Sequence, residues 1–445
     1  MSRSQPLRAS LSLVLLCLGL WATTASTAWA SSGIQYRSLV GNATTGGTTP
    51  STQDPTQTPA PPDSTTPPTK PGPATEEIPA ALRGNGMWIW QIPRAHGGNI
   101  AKIIAQAKAS KITTLFIKSA DGTGTWSQFT KEMVAAFHAG GLKVCGWHYV
   151  YGRYPLTEAA ASAYAKAQGA DCFIIDAEVE FEKHYVAASI YMRELRRLVG
   201  PSYPIGLAAF PYVDYHPSFP YSVFLAPGGA QYNLPQMYWK AIGTTVRAVY
   251  EHAYRDNSIY KSPILPIGQT YDGTTVGELT SFRKYGGAYQ AAGISWWDWT
   301  NTTKIGWKTL GADLPITAGT ITSGSPSLSI GFKGDQVVWA QMLLVAAGAR
   351  IKVDGIFASS TRAAVRSFQL AHGIPVSGGI GDKTWAALKE FTPKPVAWDR
   401  LRATSLATQA ASGSPSRSPL RGGPASSNLP AVAYEIPLGQ TLGRR

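Results

Sequence analysis

The run Phe173-Ile174-Ile175-Asp176-Ala177-Glu178-Val179-Glu180 sets two acids one residue apart at the end of an apolar stretch. In an extended strand alternate side chains share a face. Ile174, Asp176, Glu178 and Glu180 then point one way, and Phe173, Ile175, Ala177 and Val179 the other. Asp176 and Glu178 stand about 6–7 Å apart along such a strand, two steps of strand rise. Carboxylates this close cannot both ionise freely, so one keeps its proton to higher pH. A protonated Glu beside an ionised Asp is the pair that acid-catalysed cleavage of a glycosidic bond needs. The competing reading is that the acids only form ion pairs at a domain rim.

Other apolar runs end in residues suited to the same chemistry. They are Lys118-Ser119-Ala120-Asp121-Gly122, Trp147-His148-Tyr149, Gln236-Met237-Tyr238-Trp239, Gln269-Thr270-Tyr271-Asp272 and Trp296-Trp297-Asp298-Trp299. Sugar faces stack on aromatic rings while their hydroxyls need hydrogen-bonding partners. The candidate substrate contacts are therefore Trp90, Lys118, Asp121, His148, Tyr149, Gln236, Tyr238, Trp239, Gln269, Trp297 and Asp298, around Glu178 and Asp176 as catalytic residues. For any single Trp, core packing is the alternative.

The elements that must position these residues alternate along residues 84–312. Strands are predicted at Met87–Ile92, Thr114–Ser119, Lys143–Tyr151, Phe173–Val179, Ile205–Phe210, Leu234–Trp239, Ile264–Thr270 and Ile294–Trp299. Helical patterns lie between most of them, at Asn99–Ser110, Gln128–Ala139, Thr157–Gln168, Tyr185–Val199, Thr244–Tyr254 and Val276–Ala291; the fifth connection is irregular and rich in Pro and Gly. The fold class is α/β, a (β/α)8 barrel, whose reactive groups gather at the C-terminal ends of the strands. An open doubly wound sheet is the alternative, weakened by the lack of a Gly-rich loop after the first strand. Residues 327–392 form a second, small unit of three helices, at Asp335–Ala347 (amphipathic), Ser360–His372 and Asp382–Glu390, with Val365, Phe368, Trp385 and Leu388 as its core.

Ile117 to Gly122, Gly146 to Tyr149 and Asp176-Ala177-Glu178 together resemble family 25 glycoside hydrolases, secreted lysozymes (muramidases) on a (β/α) barrel. The resemblance implies Glu178 as general acid. It implies Asp176 as the group that orients an acetamido group or stabilises the cationic transition state, and Asp298 as a further carboxylate. The first strand departs from that family: Gly86 to Gln91 carries no acid where the family has one. A barrel that binds glycan without cleaving it thus stays open. Residues 327–392 resemble the three-helix peptidoglycan-binding domains of wall hydrolases, through Gly334 to Val338, Asp354 to Phe357, Thr361 to Gln369 and Gly381 to Trp385, with Ala358 where that family usually has Gly.

Met1 to Ala30 reads as a secretory signal peptide, with Arg3 and Arg8, an apolar Leu11–Trp21 and the small-x-small site Ala28-Trp29-Ala30. A retained anchor helix is the alternative. Residues 31–83 read as a Thr/Pro-rich linker, 313–326 as a second linker and 393–445 as a disordered basic tail. After export two cysteines remain, Cys145 and Cys172, paired or buried and reduced. No metal or organic cofactor is implied: the seven His lack metal-site spacing, and neither Cys opens a helix as a peptidase nucleophile would.

The net charge of +14 is spread over barrel (+6), small unit (+3) and tail (+5), without a dense basic block. That spread suits loose attraction to anionic wall polymers and gives no footprint for nucleic acid. The expected partner is peptidoglycan or another cell-wall polysaccharide, with no membrane contact after signal cleavage, and the expected location extracellular or wall-associated.

Overall fold

The computed structural model describes residues 77–314 and 319–398. The segments read above as signal peptide, most of the first linker and the tail beyond residue 398 lie outside the described residues.

Among the described residues nine strands form one sheet: β1 (Gly84–Ile89), β2 (Thr114–Asp121), β3 (Gly124–Thr125), β4 (Lys143–Val150), β5 (Cys172–Ala177), β6 (Ile205–Ala209), β7 (Tyr232–Pro235), β8 (Ile267–Gln269) and β9 (Gly293–Trp297). All but β3 run parallel, in the order β7-β6-β5-β4-β2-β1-β9-β8, and β3 is an antiparallel spur on β2. Two isolated parallel bridges, Asn233↔Ile264 and Gln236↔Ile267, close the ring between β7 and β8. The result is a (β/α) barrel. Its last strands are shorter than the apolar runs suggest. Pro235 ends β7 and Pro266 precedes β8, and neither can donate an N–H to a ladder.

The two faces of each strand enter two separate cores. Trp88, Phe116, Cys145, Trp147, Cys172, Ile174, Ala208, Leu234 and Ile267 fill the lumen. Phe173, Ile175 and Ala177 of β5 pack outward against the helices. Gly86 and Gly206 make room for this filling: a Cβ would lie 2.4 Å from the Phe116 ring at one and 2.5 Å from Leu234 at the other. Cys145 and Cys172, paired in register on β4 and β5, form a disulfide with Cα atoms 4.6 Å apart. Closing a loop of this length contributes about 3.6 kcal/mol in the chain-entropy account.

The ends of the units differ from the composition-based expectation. Residues 80–82, assigned to the linker, form a helical turn whose Ala81 and Leu82 are buried under the lumen. Trp398, assigned to the tail, packs its ring 4.8 Å from that of Tyr185.

The irregular fifth connection holds only a single turn of helix, Tyr221–Phe224, where the other crossovers carry full helices. The helix Asp335–Ala346 of the small unit packs against that turn. Asp335 is fully buried and accepts hydrogen bonds from the Ser222 N–H (2.8 Å), the Ser222 hydroxyl (2.6 Å) and the Tyr260 hydroxyl (2.8 Å). Its own N–H donates to the Pro217 carbonyl at 2.7 Å, and the Trp339 indole donates to the Ile259 carbonyl at 2.7 Å. The helix is therefore not amphipathic as expected. One side faces the barrel and the other its own unit, and nine of its residues are buried. Helices Ser359–Ala371 and Asp382–Leu388 complete the small unit, with Val365, Phe368, Trp385 and Leu388 in its core. Gln341 ties the intervening loop down, donating to Asp354, Ile356 and Thr361 and accepting from the N–H groups of Asp354 and Gly355.

Candidate active site

At the C-terminal mouth of the barrel, β5 presents Ile174 and then Asp176 to the lumen. The strand stops at Ala177. Glu178 keeps an extended φ of −131° and precedes a turn of 3-10 helix, Val179–Phe181. Glu178 is thus placed by a loop, and Glu180 by the turn rather than by strand alternation. Gln236, in the turn that Pro235 forces after β7, reaches across to this pair. Its amide nitrogen lies 3.1 Å from Asp176 Oδ1 and 3.0 Å from Glu178 Oε1, donating toward both.

Asp176 is buried and Glu178 half-buried, among like charges. Burial and then the Glu178 charge push the Asp176 carboxyl well above the usual carboxylate range, with Lys118 pulling the other way. Burial also raises Glu178, opposed by the Gln236 hydrogen bond. Both shifts run the same way, towards keeping a proton on the pair. Glu180 accepts from the Tyr149 hydroxyl at 2.9 Å. Burial, followed by the charges of Glu178 and Glu180, raises that phenol, so it stays a donor.

Beside them, Lys118 is 5% exposed, 2.6 Å from Asp121 Oδ2, and enclosed by the rings of Trp90, Trp126 and Trp147. Asp121 also accepts from the Tyr151 hydroxyl, a phenol that burial and the Asp121 charge push up to about 12. Trp297 stands edge-on to Trp147 with ring centres 5.4 Å apart, and Tyr238 edge-on to Tyr271 at 5.9 Å. Trp90, 39% exposed, is the open aromatic face at the end of the first strand run.

Several sequence-derived candidates lie elsewhere. His148 is fully buried on the outer face of β4, bonded to Ser162 and to the Gly122 carbonyl, and burial depresses it to about 3. Trp147 and Tyr149 face the lumen, so strict alternation already sends His148 outward. Trp239 is buried against Phe282 in a helical turn. Gln269 is buried and accepts from the Lys240 N–H at 2.7 Å, so it fastens the β7 loop. Asp298 is 3% exposed and turns its carboxylate to the amide of Asn301 at 2.7 Å, capping its own turn. Lys118 is closed to a ligand by its ion pair and its indoles.

Conversely, Glu180, Tyr151, Trp126 and Tyr271 join the mouth without having been singled out as site residues. Tyr271 follows Gln269 by two residues, a signal within reach of alternation; Trp126 comes from the β3 spur, which no periodicity announced. His216 is a further arrival, bonded to Glu182 at 2.8 Å and stacked 3.5 Å over Phe210.

For a metal, Asp214, His252 and Asp256 bring ligand atoms within 4.8 Å of one another. His252 is already 2.8 Å from Asp214, and the Arg255 guanidinium is 2.7 Å from Asp256. This is an ion-pair network with a cation in place. Among the described residues no helix is long and apolar enough to cross a membrane.

Residues 333–388 match the family described as "Putative peptidoglycan binding domain". Among solved structures, a peptidoglycan-binding protein of Clostridioides difficile is 36% identical over 14% of this chain and 40% of that one, with a TM-score of 0.14. The Burkholderia AP3 phage endolysin is 44% identical over 14% of this chain and 24% of that one, with a TM-score of 0.14. The chain thus spans less than half the length of these two relatives. The spore cortex-lytic enzyme SleL of Bacillus cereus is 11% identical over 51% of this chain and 73% of that one, with a TM-score of 0.39. No curated protein matches the chain.

Proposed function

We propose that this chain is an exported glycoside hydrolase of the cell wall, cleaving peptidoglycan or a related amino-sugar glycan. Glu178 protonates the leaving oxygen, and Asp176 stabilises the developing positive charge or holds the substrate's acetamido group. The observation that carries this reading is the Asp176–Glu178 pair bridged by the Gln236 amide, at a barrel mouth edged by Trp90, Tyr149 and Tyr238. The peptidoglycan-binding match at residues 333–388 supports the wall as the target. The lumen disulfide suits an oxidising compartment and so supports export. Cleavage next to muramic acid is the finer reading, taken from the family 25 resemblance.

The test is release of reducing ends from purified peptidoglycan by the full chain, with mass analysis of the new ends to separate muramidase from glucosaminidase products. Release that Glu178→Gln leaves undiminished overturns the mechanism. Binding without release by the wild type supports a glycan-binding barrel, the reading that the acid-free first strand favours.

A further inference from the structure

Among the described residues Tyr215, on the loop after β6, is the most exposed aromatic side chain, at 67%. An isolated surface ring is ordinary and needs no explanation. This one is held in place by its neighbours. Tyr212 and His252 stack with ring centres 3.8 Å apart, and Tyr215 stands across both, 5.2 and 5.4 Å away and nearly perpendicular to each. His252, on the helix Val246–Asn257, is fixed in turn by Asp214 at 2.8 Å and Asp256 at 3.3 Å. The Arg255 guanidinium lies 2.7 Å from Asp256 and 3.5 Å from Asp214. An open ring is thus set beside a carboxylate, Asp214, and a guanidinium, Arg255, that are both partly exposed. A pyranose needs such a ring to stack on and such polar groups for its hydroxyls and amides. The fold has already ordered the ring, so little further freedom is lost when a sugar covers it.

The residues that follow Tyr215 tie its loop to two other parts of the molecule. His216 is bonded to Glu182 at 2.8 Å, the Ser218 hydroxyl donates to Glu182 at 3.2 Å, and the Lys183 N–H donates to the Ser218 carbonyl at 2.7 Å. Glu182 ends the 3-10 turn that follows Glu178. Pro217, between those two straps, accepts the Asp335 N–H of the small unit at 2.7 Å. Two steps of chain span at most about 8 Å, so Tyr215 stands close to both the join and the acid-bearing turn.

We propose that Tyr215, with Asp214 and Arg255, is a surface subsite for a β-linked amino-sugar glycan, holding a strand on the barrel flank between the small unit and the mouth. This rests on the glycosidase reading for the class of ligand, and not for the catalytic step. The subsite touches no reacting atom. It adds affinity along a strand and leaves the bond-breaking step as it is.

The full chain is tested with peptide-free glycan strands prepared from peptidoglycan. Binding isotherms are measured in a Glu178→Gln background, which keeps the strands whole. Tyr215→Ala is expected to weaken binding about tenfold, the scale of one aromatic contact, and Tyr215→Trp, which keeps a ring face, to restore it. A second readout needs no variant: surface tyrosines of the wild type are nitrated with tetranitromethane and mapped by peptide mass, and saturating strands should slow nitration of Tyr215 severalfold. Tyr215 nitrated equally fast with and without strands overturns the proposal, as does unchanged binding by Tyr215→Ala. Shielding of Tyr215 in a wild-type chain that releases no reducing ends removes the hydrolase reading and leaves the subsite standing. Release of reducing ends with Tyr215 unshielded removes the subsite and leaves the hydrolase.

Discussion

Two buried aspartates in this molecule share a residue type and a burial, and differ in what surrounds them. Asp335, at the join between barrel and small unit, receives hydrogen bonds from one backbone N–H and two hydroxyls. Burial raises its carboxyl to about 6, with those donors holding it from going higher. Asp176, at the mouth, shares the Gln236 amide with Glu178 and faces further negative charge from Glu180 and Asp121. A carboxylate saturated with donors stays where it is and fastens two surfaces. One kept short of donors among like charges stays poised to exchange a proton. The contrast predicts that chemistry and stability respond to different residues.

The largest effect is expected from Glu178→Gln, which removes the transferable proton with little change of shape. Reducing-end release should fall about a thousandfold, within the range of general acid catalysis. Thermal unfolding should not suffer. Wild-type turnover in this variant would place the acid elsewhere. At the other aspartate the consequences reverse. Asp335→Ala leaves the buried Ser222 and Tyr260 donors without an acceptor and should cost about 3 kcal/mol in denaturant unfolding. A stability loss within error would mean the join is held by apolar packing alone. Gln236→Ala should be milder, lowering turnover about tenfold, as expected when one hydrogen bond to an ionised group is lost. It also removes the group that pulls Glu178 down, so the alkaline limb should move to higher pH. An alkaline limb that stays in place separates Gln236 from the proton-bearing group.

The same contrast explains what was legible in the sequence. Period-two alternation and the intervening helices were enough for the barrel, because parallel strands buried on both faces leave long apolar runs. Asp176 was legible for that reason. Glu178 reached the mouth by a route alternation does not describe, a loop residue before a 3-10 turn. His148 went astray because its neighbours' chemistry was weighed over its own parity on the strand. Trp239 and Gln269 followed Pro235 and Pro266 into loop and short-strand geometry that hydrophobic pattern cannot place. The Asp335 join was invisible. Its partner Ser222 lies 113 residues earlier. In sequence Gly334-Asp335 reads as the start of a helix and of a motif of the small unit, with nothing to name a partner in the barrel. The fifth connection showed in the sequence only as irregular and rich in Pro and Gly.

The smallest effect is also the one that divides the two aspartates most directly. Asp176 has its folded-state pKa raised above the unfolded value. Its ionisation therefore opposes folding: its contribution is most favourable below the unfolded pKa and is lost as pH rises through the folded one. Asp176→Asn keeps an acceptor for Gln236 and removes the buried charge. At pH 7 the variant should be more stable than wild type by about 1 kcal/mol, the usual scale when a functional site's built-in cost is relieved. Below pH 4 wild-type Asp176 is itself neutral, and the two proteins should unfold alike. Removing the carboxylate at Asp335 thus weakens the fold, while neutralising the one at Asp176 strengthens it and costs turnover. A lower melting temperature for Asp176→Asn at pH 7 would make Asp176 a fastening group like Asp335 and erase the distinction between join and mouth.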